Sequence, residues 1–158
     1  DIAAHAMRGG RVLIRGNAGY RAGIHMKAYR HLAPLLIVGG RAGDFLGEYM
    51  AGGTLIVLRI EADSRKVARL GASEQTVGDF IGTGMHGGRI YIRGQVDPRC
   101  LGKEVKAAAP DPDDMKLLQV HISNFCEVFG LTASAISPSN FVKLYPHTHR
   151  PYGRIYAY

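Results

Sequence analysis

The residues best suited to chemistry are few and scattered. Cys100 and Cys126 stand far apart, and two such thiols make neither a disulfide scaffold nor a zinc cage. Free thiols in a reducing compartment are the expectation. His147 and His149 have the spacing of a metal pair, but they lie among prolines in a terminal stretch, where surface imidazoles are expected. Asp44 and Asp79 occupy equivalent places in two similar segments, so they would stack. A calcium site would call for the Gly-Gly-x-Gly-x-Asp nonapeptide, which is absent, and a hydrogen bond from a turn amide to each carboxylate is expected instead. His25 and His86 adjoin methionines at turns and are expected to bond to backbone. Walker A, HExxH, GxSxG and CxxC motifs are missing, and nothing assembles a nucleophile, a base and an oxyanion site. No catalytic, cofactor-binding or metal-ligating residue is assigned, and no cofactor is expected in this chain.

The composition sets the frame for these residues. A chain of 158 residues suits one compact domain, and 46 % apolar with 21 % charged residues is ordinary for a globular protein. Glycine is not ordinary: 21 occur, against about 11 at typical usage. The formal charge is +7, and residues 2–43 hold seven Lys or Arg and no acid. Such a basic face suits nucleic acid, an anionic cofactor, an acidic partner or simply solvent. Tyr20 and Tyr29 lie within it, but no recognised nucleic-acid module does, so nucleic acid is not the expected partner. No apolar run approaches the roughly 20 residues of a membrane span. The chain opens on Asp1 with no signal-peptide pattern, so a processed product or a piece of a larger protein is expected, in the cytoplasm.

The glycines belong to a repeat. Residues 43–58 read GDFLGEYMAGGTLIVL and residues 78–93 read GDFIGTGMHGGRIYIR. Residues 1–15, DIAAHAMRGGRVLIR, and residues 19–26, GYRAGIHM, carry the same frame, the latter with its apolar run delayed to Leu35, Leu36, Ile37 and Val38. Met7, Met26, Met50 and Met85, four of the five methionines, fall at one place in it. Each unit is a short strand with glycine corners, and such units bury an apolar side only by stacking. The pattern predicts a β-solenoid of stacked coils over residues 1–94, with the methionines in an interior ladder. Alternation turns Val12, Ile14, Leu36, Val38, Leu55, Val57, Ile90 and Ile92 inward. The outward set includes Ile37, Ile56 and Leu58, too apolar for solvent, so a cover is required. Insertions at residues 28–34 and 60–77 are expected as lateral loops.

Residues 95–158 read differently. Asp111 can cap a helix with Pro112 in its first turn, Met115, Leu118, Ile122, Phe125 and Phe129 recur at helical spacing, and Gly130 ends the run. This amphipathic helix and the extended tail after it are expected to pack on the coils.

The strings GNAGYRAGIHMKAY, GGRAGDFLGEYMAGGTLIVL and VGDFIGTGMHGGRIYIRG, with the ending His149-Arg150-Pro151-Tyr152-Gly153, resemble the glycine-rich (GXGXG) β-helix domain of the glutamate synthase large subunit in its stand-alone form. They are also similar to the glycine-rich β-helix component of formylmethanofuran dehydrogenase. The resemblance implies an all-β fold, a right-handed single-stranded parallel β-helix, with coils missing before Asp1. It also implies a non-catalytic coupling subunit of an oxidoreductase complex in glutamate biosynthesis and nitrogen metabolism, which makes two glutamates from glutamine and 2-oxoglutarate. The expected partners are the amidotransferase and the FMN-binding synthase, with FMN and the iron–sulfur cluster on those subunits. Self-association through the open first coil is a further expectation. The alternatives are the β-helix subunit of a formylmethanofuran dehydrogenase-like complex and a scaffold or nucleic-acid-binding solenoid.

Overall fold

The computed structural model describes residues 1–60 and 75–147. Its strands are β1 (Arg11–Ile14), β2 (Leu35–Val38), β3 (Ala51–Val57), β4 (Gly87–Arg93), β5 (Val105–Ala108) and β6 (Phe141–Pro146), with one α-helix, α1 (Pro112–Phe129), between the last two. The strands form one sheet in the order β1-β2-β3-β4-β6-β5. The first four pair in parallel and in sequence order, whereas β6 runs antiparallel to both β4 and β5.

The expectation of an all-β, right-handed parallel β-helix is therefore corrected. The sheet is mixed and open, its outermost strands β1 and β5 do not meet, and an 18-residue helix lies on it. The physical reason is in the turns. Between strands the backbone enters the left-handed region at alternate residues, as at Phe45 (φ 59°), Gly47 (67°) and Tyr49 (53°). Extended strands cannot continue through such angles, so the turn segments meet only as isolated bridges such as Ala18 with Ala42 and Ala42 with Val77. Parallel growth stops at β4, whose next neighbour is the antiparallel β6.

The turns nevertheless stack tightly. The amides of Gly23, Gly47 and Gly82 donate to the carbonyls of Ala3, Ala22 and Leu46, each at 2.8 Å. The same contact recurs once more, from Gly102 to Ile81 at 2.7 Å, so residues 98–108 form a fifth turn-and-strand unit. The repeated sequence frame itself ends at Gly94. This unit keeps only its central glycine, with Val105 in place of the methionine, and periodicity alone does not expose it.

Two cores follow from strand alternation. On one face Met26, Met50 and Met85 are buried with Leu36, Leu55 and Ile90, while Met7, Val12 and Ile14 pack partly buried against them. On the other face Ile37, Ile56, Leu58 and Tyr91 meet Leu118, Ile122 and Phe125 of α1. The helix is thus the cover that the outward apolar residues require, and each of its three large buried side chains contributes about 1.5–3 kcal/mol. Its start is fixed by a reciprocal capping box between Asp111 and Asp114, and its end by Gly130 at φ 66°. Of the two insertions, residues 61–74 lie outside the described residues, as do residues 148–158 of the tail.

Close stacking makes some glycines irreplaceable and leaves others free. A Cβ on Gly78 would collide with the Asp44 carboxylate and lie 2.5 Å from the Asp44 amide nitrogen, whereas one on Gly16 would touch nothing within 4 Å. Gly78→Ala is expected to destabilise the protein by about 1–3 kcal/mol and Gly16→Ala by under about 0.5 kcal/mol. Urea unfolding of both variants beside the parent checks this; equal midpoints would contradict it.

Candidate functional site

Three elements converge on one buried carboxylate. Tyr91 of β4 donates its hydroxyl to Asp114 Oδ1 at 2.6 Å, and Lys143 of β6 donates Nζ to Asp114 Oδ2 at 2.8 Å. Tyr91 and Lys143 are brought together because they are register partners across the antiparallel pair. Asp114 Oδ2 also accepts from the Asp111 amide, completing the helix cap. Burial alone would raise the Asp114 carboxyl, but the hydrogen bonds from Lys143, Tyr91 and Asp111 outweigh it and hold it at about 2. Burial, and then the bond to Asp114, push the Tyr91 phenol up to about 12. Both values are far from neutral, so neither group exchanges a proton near pH 7, where general acid–base work would need it. The trio clamps α1 to the sheet.

Most of the residues singled out from sequence lie at the turn edge, whereas Cys126 lies on α1 and His147 directly follows β6. Asp44 Oδ1 accepts from the Asp79 amide at 2.9 Å, as expected for a turn carboxylate. The Cys100 thiol is buried. Its hydrogen bond to Asp79, then burial, push it up to about 11, and Gln75 donates Nε2 to its sulfur at 3.3 Å. Burial raises Cys126 as well. Thiols so raised are poor nucleophiles. His25 differs from expectation: its amide bonds the Glu48 carbonyl, but its ring stacks on Tyr49 with centroids 5.2 Å apart and meets His5 edge-on. Phe45 stacks on Phe80 at 5.0 Å, and Arg21 lies over Phe45 and pairs with the buried Glu48 at 3.1 Å. His86 is exposed, Tyr20 and Tyr29 are half-exposed beneath arginines, and His149 falls outside the described residues. Among the described residues no group of three or more His, Cys, Asp or Glu could hold a metal ion, and no helix is long and apolar enough to cross a membrane.

A groove not foreseen from sequence opens where the strands begin beneath α1. Its volume is about 490 Å³, and its lining includes Pro34, Gly53, Gly88, Arg89, Leu117 and His121. Gly53 and Gly88, at φ 91° and 86°, leave bare main chain in its wall. A Cβ on Gly53 would lie 2.5 Å from the Pro34 carbonyl oxygen, and one on Gly88 would lie 2.7 Å from Met50 Cε. The sequence signal was the Gly-Gly pair of the frame, which reads first as a turn. Tyr91, Asp114 and Lys143 were missed because Tyr91 looks like an outward apolar residue; the Asp111-x-x-Asp114 spacing was the available clue to a capping box.

The clamp predicts a pH signature. A folded-state carboxyl depressed to about 2 adds stability above the unfolded value of 3.8, and this is lost as pH falls through about 2. The shift corresponds to about 2 kcal/mol. Stability is expected to fall between about pH 4 and pH 2, and Asp114→Asn is expected to flatten that slope while lowering stability at pH 7. Denaturant midpoints across this range check it; an unchanged slope in the variant would contradict it.

The sequence profile described as GXGXG motif matches residues 1–147. An uncharacterized protein of Methanocaldococcus jannaschii is 43 % identical over 144 residues, which is 89 % of this chain and 53 % of that protein. The chain thus spans about half the length of the curated relative it matches. A match that runs from the first turn through β6 takes in all five stacked units and the helix that covers them, and on that ground the chain belongs to the GXGXG motif family, as a glutamate synthase-related domain.

Proposed function

We propose that this chain is a non-catalytic packing and coupling domain of a glutamate synthase-like assembly. In this reading the amidotransferase and the FMN-binding synthase are its partners. They carry the FMN, the iron–sulfur cluster and the chemistry that converts glutamine and 2-oxoglutarate to two glutamates, in the cytoplasm. The family match over residues 1–147 carries this reading. The engagement of the described buried groups supports it: Tyr91, Asp114 and Lys143 are spent on holding α1, and the Cys100 thiol on Asp79. A stacked body held by its own backbone is suited to present a fixed surface to larger subunits.

Reconstitution tests the reading. The chain is expected to co-elute with the amidotransferase and synthase subunits of its own source, to raise glutamine-dependent glutamate formation by the mixture, and to show neither glutaminase activity nor flavin absorbance alone. Turnover of glutamine by the isolated chain, or failure to associate with either subunit, would overturn it.

A further inference from the structure

The strand starts place a row of four side chains on the face that carries α1. Arg11, Leu35, Thr54 and Arg89 are register partners across β1 to β4. The guanidinium groups stand at the two ends of the row and the apolar and hydroxyl groups between them. Over this row lie Leu117 and His121 of α1, closing the groove described above. Arg11 and His121 are near enough for the Arg11 charge to act on the imidazole. Arg89 is near enough to the Tyr91 hydroxyl for its charge to act on that group. No carboxylate is among the described residues lining the groove. Asp114, the nearest acid of the clamp, is already occupied by Lys143 and Tyr91.

We propose that this groove binds a small organic anion bearing a carboxylate or phosphate group, with Arg89 as its main counter-charge and Thr54 and His121 as hydrogen-bonding partners. The volume is within the range of small-molecule sites, which pair an apolar wall with a few convergent polar groups. Arginine suits the role because its planar fork pairs with carboxylate or phosphate through two hydrogen bonds. Burial and the Arg11 charge lower the His121 pKa, so the ring is neutral at pH 7 and can both donate and accept. The guanidinium of Arg89 in the lining and that of Arg11 near His121 oppose a metal cation. The inference does not rest on the glutamate synthase reading, since it uses only the groove.

Titration calorimetry on the full chain at constant ionic strength tests it, with citrate, glutarate and inorganic phosphate as probes. At least one probe is expected to bind saturably with a stoichiometry of one. Arg89→Gln is expected to weaken that binding by about tenfold or more, and Thr54→Val, which keeps the side-chain shape, by a few-fold. Arg99→Gln is the control, because Arg99 is exposed and held by Asp97 outside the groove. No saturable binding by any probe up to about 10 mM would overturn the proposal. So would equal weakening by Arg89→Gln and Arg99→Gln, which marks diffuse charge attraction, or binding that Arg89→Gln and Thr54→Val both leave intact.

Discussion

One backbone contact recurs through the protein: the amide of a glycine in each turn sits 2.7–2.8 Å from a carbonyl of the turn before it, at Gly23, Gly47, Gly82 and Gly102. Three of these glycines have positive φ, from 67° to 74°. A Cβ on Gly23, Gly47 or Gly82 would lie 2.5–2.6 Å from the side chain of Leu55, Ile90 or Val105, so only glycine lets these amides sit this close to the next turn. The contact fixes the separation of successive turns, and the strands that leave them then pair in register. Leu36, Leu55 and Ile90 line up as partners on one face, and Ile37, Ile56 and Tyr91 on the other. The non-glycine residues at positive φ, such as Phe45, Tyr49 and Phe80, are held there by the stack around them, a strain that surrounding structure must over-determine.

Stacking alone does not finish the fold. A sheet apolar on both faces needs two cores, and residues 95–147 supply the second. Helix α1 covers one face and is pinned at its start by Tyr91, Asp114 and Lys143. Lys143 is in place because β6 runs between β4 and β5, separating the strand of the fifth unit from that of the fourth. The insertion explains why the fifth turn still stacks on the fourth, through Gly102 and Ile81, while the two strands do not pair.

Much of this was legible in the chain. Alternation sorted the two faces of each strand, the repeated frame placed the methionines together, and Asp111 and Gly130 bounded the helix. What was not legible depended on long-range partners. The antiparallel β6 leaves no mark on the periodicity of β4. Residues 98–108 keep one glycine of the frame, too little for a repeat to be seen. Tyr91 finds its hydroxyl partner 23 residues away, on an element whose docking angle no local pattern specifies. The groove at Arg89 and His121 is likewise a product of docking, since its floor and roof lie on different elements. The expected parallel β-helix failed for a local reason: alternate left-handed residues in the turns prevent the connecting segments from becoming strands.

The central claim is that the glycine amides of the turns hold the units together. Amide hydrogen exchange followed by NMR tests it most directly. The account predicts that the amides of Gly23, Gly47, Gly82 and Gly102 exchange only as the whole protein unfolds, with protection equal to that of Leu55 and Ile90 in the strands. Exchange of these glycine amides at the rates of open surface turns, while the strands remain protected, would contradict it.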